Sequence, residues 1–196
     1  MDDLTQRLAI DLDGTYESVV RGHQDRLYGV ALRMLGDPRD AEEAAQDAFV
    51  RAYRALAGYD ANRIRALSLR GWLVTIVLNV CRNRARTRRP AAVSLDGEPT
   101  RVPEIVDAAP MPPERTERRE GAAHWAALLG TLPARYREVV VLRYVEGLGY
   151  GELSTVLGRP EGTLKAQAHR GLALLRAAHD AALRAERAGD PQEVLR

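Results

Sequence analysis

Apolar residues recur at helical spacing through most of this chain, and the places where the spacing fails divide it. From Tyr16 to Leu35 they fall at Tyr16, Val19, Val20, Leu27, Val30, Ala31, Met34 and Leu35, the pattern of an amphipathic helix. Gly36 is placed to end it. Asp37 and Pro38 then read as the cap and first position of a second helix, and Asp40, Glu42 and Glu43 add the negative charge that suits a helix start. That helix continues through Ala41, Ala44, Ala45, Ala48, Phe49, Ala52, Tyr53 and Leu56. Its apolar face is mostly alanine, so a neighbouring helix can come close. Gly58 to Asn62 interrupts it, and the segment as far as Ser68 reads as loop. Residues 1–14 read as a flexible lead-in.

Residues 70–89, RGWLVTIVLNVCRNRARTRR, predict a third helix that Pro90 stops. Its first half is apolar and its second half carries Arg82, Arg84, Arg86, Arg88 and Arg89 with no acid among them. Trp72, Ile76, Asn79 and Asn83 lie about one turn apart on one face. Asn is a poor helix former with an amide to offer, so this stripe is not simply core. Two readings fit: a surface helix with a solvated basic end, or a nucleic-acid-binding helix with arginines on phosphates and the Asn pair near bases.

Residues 90–122 change character. They hold six of the chain's ten prolines and few large apolar residues, and between 91 and 113 Asp96, Glu98, Glu104 and Asp107 oppose only Arg101. That composition predicts an extended acidic linker between two helical parts. Beyond it, 124–129 predicts a short helix and Leu132-Pro133 a turn. Residues 134–146 predict a helix that Gly147 and Gly149 end. Residues 151–157 predict a short helix, Gly158-Arg159-Pro160 a tight turn, and 161–176 a longer helix with Leu164, Ala168, Leu172 and Leu175 on one face. A short helix, a glycine turn and a second helix is the helix-turn-helix arrangement, whose second helix enters the major groove. Residues 178–196 read as a polar tail.

Composition supports an all-α chain: Ala, Leu, Arg and Glu dominate and aromatics are 5%, which favours helix over sheet. The net charge of +2 says little, but the Arg cluster at 82–89 says more. Lys165 is the only lysine, a bias that suits bidentate phosphate contacts and that genomic base composition also produces. Cys81 is the only cysteine, so no internal disulfide forms, and four scattered histidines show no ligand spacing. Asp40, Glu43 and Asp47 share a helix face with no His to complete a ligand set, so no metal and no cofactor is expected. No glycine-rich phosphate loop, HExxH or G-x-S-x-G elbow is present, and no catalytic role is expected. The start of the chain has no signal-peptide pattern, and no apolar run is long enough to span a bilayer, so the expected location is cytoplasmic.

In this order, DPRDAEEAAQDAFVRAYRAL, RGWLVTIVLNVCRNRARTRR and LPARYREVVVLRYVEGLGYGELSTVLGRPEGTLKAQAHRGLALLR resemble the bacterial RNA polymerase sigma factors of the extracytoplasmic-function type. The resemblance implies two small helical domains, 15–89 and 123–177, joined by the linker. It implies partners in core RNA polymerase (beta and beta-prime subunits) and promoter DNA, and an anti-sigma factor as a further one. Asp40, Glu43, Gln46, Asp47, Phe49 and Arg51 would face the polymerase. Tyr59, Asn62, Arg63, Trp72, Asn79, Arg82, Asn83 and Arg86 would serve the −10 element, with Asn79 and Asn83 at a flipped base and Tyr59 in its pocket. Arg159, Glu161, Thr163, Lys165, Gln167, His169 and Arg170 would serve the −35 element. The family's recognition helix often reads Gly-Thr-Val-Lys-Ser-Arg, whereas Gly162 to Gln167 here reads GTLKAQ. Arg at that place grips guanine or phosphate, and the Gln167 that replaces it is expected to prefer adenine or to make weaker contacts. The competing readings are a stand-alone helix-turn-helix regulator and a protein-only adaptor.

Overall fold

The structure is a computed structural model that describes residues 3–87 and 125–188. Among the described residues every regular element is helical, in two compact units, one within Met1–Pro110 and one within Met111–Arg196. The predicted linker, together with Arg88 and Arg89, lies outside the described residues.

In the first unit, α1 is Asp3–Ile10, α2 Leu12–Leu35, α3 Pro38–Ala57, α4 Ala61–Arg65 and α5 Leu69–Thr87. The caps are local. Asp11 opens α2 by accepting the Gly14 amide at 2.9 Å, and Asp37 opens α3 by accepting the Asp40 amide at 2.9 Å, with Pro38 in the first turn. Gly36 closes α2 at φ 78°, a left-handed conformation that a Cβ would disfavour. Helices α2, α3 and α5 pack on one another around Leu27, Val30, Leu56, Leu73, Val77 and Leu78. The alanines of α3 are the face that lets this happen: Ala41, Ala44, Ala48 and Ala52 are fully buried. Tyr16 and Tyr53 lock α2 to α3. Their rings meet edge-on at 5.1 Å, the Tyr16 hydroxyl donates to the Phe49 carbonyl at 2.6 Å, and the Tyr53 hydroxyl donates to Asp13 at 2.5 Å. Burial pushes the Tyr16 phenol up to about 12.

Two expectations fail here. The lead-in is not flexible throughout, because α1 packs on α2 and α4 through Thr5 and Leu8, both essentially inaccessible to solvent. Nor is the segment before Ser68 a plain loop: Asp60 accepts both the Asn62 and Arg63 amides at 2.9 Å and so starts α4, whose Ile64 is buried.

In the second unit, residues 125–131 form α6, Ala134–Val140 form α7, Tyr150–Leu157 α8 and Glu161–Ala188 α9. Helix α7 runs on as a π turn, Val141–Val145, in which the Glu146 amide bonds back five residues to Val141 at 3.0 Å. The predicted single helix through Glu146 therefore changes register. Tyr144 and Val145 turn outward, about half exposed, while Leu142 and Leu148 are fully buried. Helix α9 packs on α7 and α8 through Leu164 and Ala168, and Gly158 at φ 65° makes the turn between α8 and α9. Gly171 lies at a close α7–α9 approach: a Cβ there would lie 2.7 Å from the Val140 Cγ2. Helix α9 runs beyond the predicted 161–176 to Ala188, into the residues read as a polar tail. His179, inside that extension, stacks its ring on Trp125 at 5.6 Å and 3°, a ring contact that sequence spacing does not reveal.

Candidate nucleic-acid interface

Helix α5 divides its two faces. Leu73, Val74, Val77, Leu78, Val80 and Cys81 are buried, while Asn79, Asn83 and Arg86 are exposed and Trp72 and Arg82 are half-buried. The stripe that begins at Trp72 thus leaves the core as it reaches the asparagines. Each Asn meets an arginine one turn on. Arg82 donates to the Asn79 carbonyl oxygen at 3.2 Å and Arg86 to that of Asn83 at 3.5 Å. Arginine has only donors, so both amides turn their oxygen towards the guanidinium and leave NH₂ as the other end. Arg84 takes a different path: its guanidinium reaches Glu43 of α3 at 2.9 Å.

The cap on α4 brings the predicted −10 residues together. With Asp60 holding the first turn, the Arg63 guanidinium lies 3.6 Å from the centre of the Tyr59 ring, and Trp72 flanks that ring at 6.1 Å and 57°. Aromatic planes and a guanidinium plane are what an unstacked base packs against. Asn62 is exposed beside them and accepts from Arg65 at 3.1 Å.

Along α3, Glu43, Gln46 and Arg51 are exposed and Asp40 and Asp47 half-buried. Arg51 grips Asp47 through two nitrogens at 3.0 and 2.9 Å, and Gln46 donates to Glu42 at 3.3 Å. The Asp47 hydrogen bond raises the Arg51 pKa further above its ordinary value. Phe49 does not belong with them. It is 8% exposed and packed in the core, because it shares a face with the buried alanines rather than with the acids. The large apolar side chains that α3 does expose are Val50 and Tyr53. An alanine-rich helix gives little sequence signal for which face is outward.

In the second unit, α9 presents Glu161, Thr163, Lys165, His169 and Arg170 to solvent. Lys165 pairs loosely with Glu161 at 3.8 Å and sits 5.5 Å from the centre of the Tyr150 ring, which Arg143 also approaches at 5.2 Å. The sequence reading did not single out Tyr150 or Arg143. Tyr136 lies near the same helix, and hydrogen bonds from Arg135 and then Arg170 lower its phenol pKa. Arg159 and Gln167 are not simply exposed. Arg159 bonds Glu138 at 2.7 Å, the Gln167 amide oxygen at 3.1 Å and the Arg135 carbonyl at 3.3 Å. Among the described residues no group of three metal-ligating side chains gathers, and no helix is long and apolar enough to cross a membrane.

Residues 19–90 match the Sigma-70 region 2 family and residues 125–175 match Sigma-70, region 4. The chain is 32% identical to the ECF RNA polymerase sigma factor SigW of Bacillus subtilis (strain 168), over 82% of this chain and 87% of that protein. It is 31% identical to the ECF RNA polymerase sigma factor SigE of Mycolicibacterium smegmatis, over 83% of this chain but only 60% of that longer protein. Among solved structures, CnrH in complex with the cytosolic domain of CnrY superposes with a TM-score of 0.65 at 28% identity, covering 91% of this chain and 96% of the other. The sigma factor RpoE from Bartonella quintana, in complex with the anti-sigma factor NepR, gives a TM-score of 0.61 at 18% identity over 84% of this chain and 96% of the other, a likeness of fold.

Proposed function

The chain belongs to the sigma-70 family, as an extracytoplasmic-function sigma factor that directs RNA polymerase in transcription initiation, and from that premise we propose how its surfaces divide the work. Helix α3 docks core polymerase through Asp40, Glu43, Gln46, Asp47 and Arg51. Tyr59, Asn62, Arg63 and Trp72 form the pocket for a base flipped out of the −10 element, and Asn79 and Asn83 read it. Arg82 and Arg86 hold the amide oxygens of those asparagines and offer their remaining donors to phosphates, which makes the affinity salt-dependent. Helix α9 enters the major groove of the −35 element with Glu161, Thr163, Lys165, Gln167, His169 and Arg170.

The observation that carries this reading is the cluster of Tyr59, Arg63 and Trp72, 3.6 and 6.1 Å apart, beside an exposed Asn pair on the same stripe of α5 as Trp72. It supports base capture because it offers π-planes and amide groups together, and an unstacked base uses both. The polymerisation chemistry belongs to the core enzyme and this chain contributes none. It acts in the cytoplasm, where an anti-sigma partner covers the same faces.

The test is run-off transcription from a set of promoters, using core polymerase with and without this protein. The expected result is discrete transcripts that need the protein and whose start sites share upstream −10 and −35 elements. Binding to duplex promoter DNA without core, with no new starts, would overturn it in favour of a stand-alone regulator.

A further inference from the structure

Gln167 stands on α9 where the family's motif carries Arg, and a free glutamine would be expected to read adenine. The reason is its two-ended amide: the oxygen accepts from adenine N6 while the nitrogen donates to N7. Here one of that oxygen's two lone pairs is already occupied. The Arg159 guanidinium donates to the Gln167 Oε1 at 3.1 Å. The orientation of the amide is not arbitrary, because arginine has no acceptor and only the oxygen end can face it. Arg159 is itself held in place. It donates to Glu138 at 2.7 Å, to a carboxylate whose side chain is 6% exposed, and to the Arg135 carbonyl at 3.3 Å. Both acceptors belong to α7. A planar guanidinium spanning three acceptors on two helices has little freedom, and moving it would take an ion-pair partner away from a buried carboxylate.

We propose that Arg159 is a positioning residue that biases Gln167 towards donating to the −35 element. With its oxygen directed to Arg159, Gln167 has the two N–H groups of its amide nitrogen for the groove. Those donors match the bases that present acceptors in the major groove: guanine, with N7 and O6, and less fully thymine, with O4. Adenine must share the Gln oxygen with Arg159 through its second lone pair, in an amide orientation that Arg159 already sets. The amide then recognises the same acceptors that an arginine at this position would grip, so the loss of the family's Arg is compensated by an arginine eight residues earlier. The inference rests on the reading that α9 enters the major groove.

The experiment uses the full chain with core polymerase and promoters in which each −35 position carries each of the four bases, scored by open-complex formation. The position that loses its preference in Gln167→Ala is the one this side chain reads. Wild type is expected to favour guanine over adenine there by about fivefold to about a hundredfold, the span of one bidentate contact. The double variant Arg159→Met/Glu138→Gln, which removes the guanidinium without leaving a buried charge, is expected to raise adenine to parity or above at that position alone. Arg159→Lys, which keeps a cation for Glu138 but cannot span both acceptors in one plane, should relax the preference in the same direction. Three results overturn the inference: wild type prefers adenine there, Gln167→Ala changes no position, or the Arg159 variants weaken every −35 base alike. If no −35 base matters even to wild type, the groove reading of α9 fails first and takes the inference with it.

Discussion

Gly171→Ala sets helix propensity against packing, and the structure decides the sign. In an open helical position the change stabilises by about 1 kcal/mol, because alanine is the better helix former. At Gly171 the new Cβ would lie 2.7 Å from Val140 Cγ2, and 3.4 and 3.5 Å from Tyr136 Cβ and the Tyr136 carbonyl. Carbon atoms in contact sit at about 3.5–4.0 Å, so α9 and α7 must separate by nearly an ångström or Val140 must leave its rotamer. Val140 is 3% exposed and β-branched, which makes it stiff, and such overpacking costs about 1–3 kcal/mol. The net expectation is destabilisation of the second unit by roughly 1 kcal/mol, a fall in its Tm of about 4–8 °C for a domain of this size. Gly22→Ala is the control, since nothing lies within 4 Å of its Cβ, and it should raise the Tm of the first unit by a similar amount. Calorimetry on the full chain reads both transitions. The decisive comparison repeats Gly171→Ala in a Val140→Ala background, where the clash is gone and the substitution should become stabilising. If Gly171→Ala stabilises equally in both backgrounds, the close approach does not exist and the reasoning is refuted. Because the same contact seats the helix proposed to read −35 DNA, use of the −35 element should fall along with stability.

Phe49→Ala should destabilise the first unit by about 3–5 kcal/mol, as deletion of a buried aromatic does, whereas Gln46→Ala on the exposed face should stay within about 0.5 kcal/mol; urea unfolding followed by Trp72 fluorescence compares them. Asp47→Arg breaks the Asp47–Arg51 pair and reverses charge on the proposed docking face, so titration with labelled core polymerase should show affinity down at least about tenfold, the equivalent of 1.4 kcal/mol, with both units still folded; unchanged affinity removes Asp47 from the docking face. Tyr59→Ala should weaken capture of single-stranded −10 DNA by the holoenzyme by about 1–3 kcal/mol, the worth of one stacked base, while leaving −35 preferences alone; a uniform loss at both elements would point to misfolding instead. Burial holds the Cys81 thiol at about 12 against its ordinary 9.0. The folded chain therefore keeps a proton that the unfolded chain loses, and stability should decline as pH rises through 9 to 12. At about pH 8, alkylation of Cys81 should be slow and should accelerate only as denaturant unfolds the first unit; fast labelling of the native chain would contradict its burial.

Much of the fold was legible because helix boundaries are written within a few residues of one another. Asp37 with Pro38, Gly36 and Gly158 act over one turn, and their positions alone place the ends of α2, α3 and α8. The two faces of α5 follow from periodicity, since Leu73, Val77 and Leu78 recur on one side and Asn79 and Asn83 leave it. The order of the motifs was likewise enough to suggest the family, whereas the Arg63 guanidinium over the Tyr59 ring and Trp72 beside that ring are known only from the fold. What the chain order could not settle depends on residues far apart in sequence. Whether Phe49 faces inward was ambiguous in an alanine-rich helix until α2 and α5 closed on one side of it. Asp3–Ile10 is too short to stand alone as a helix and is ordered by the surfaces of α2 and α4. The π turn at Val141–Val145 inserts a register change that no local spacing announces, and it turns Tyr144 and Val145 out to solvent. Arg159 was expected to serve −35 DNA, and nothing near it in sequence shows what else engages it. Its partners Glu138 and Gln167 are 21 and eight residues away, and only packing α9 against α7 brings a buried carboxylate and an amide oxygen to the same guanidinium.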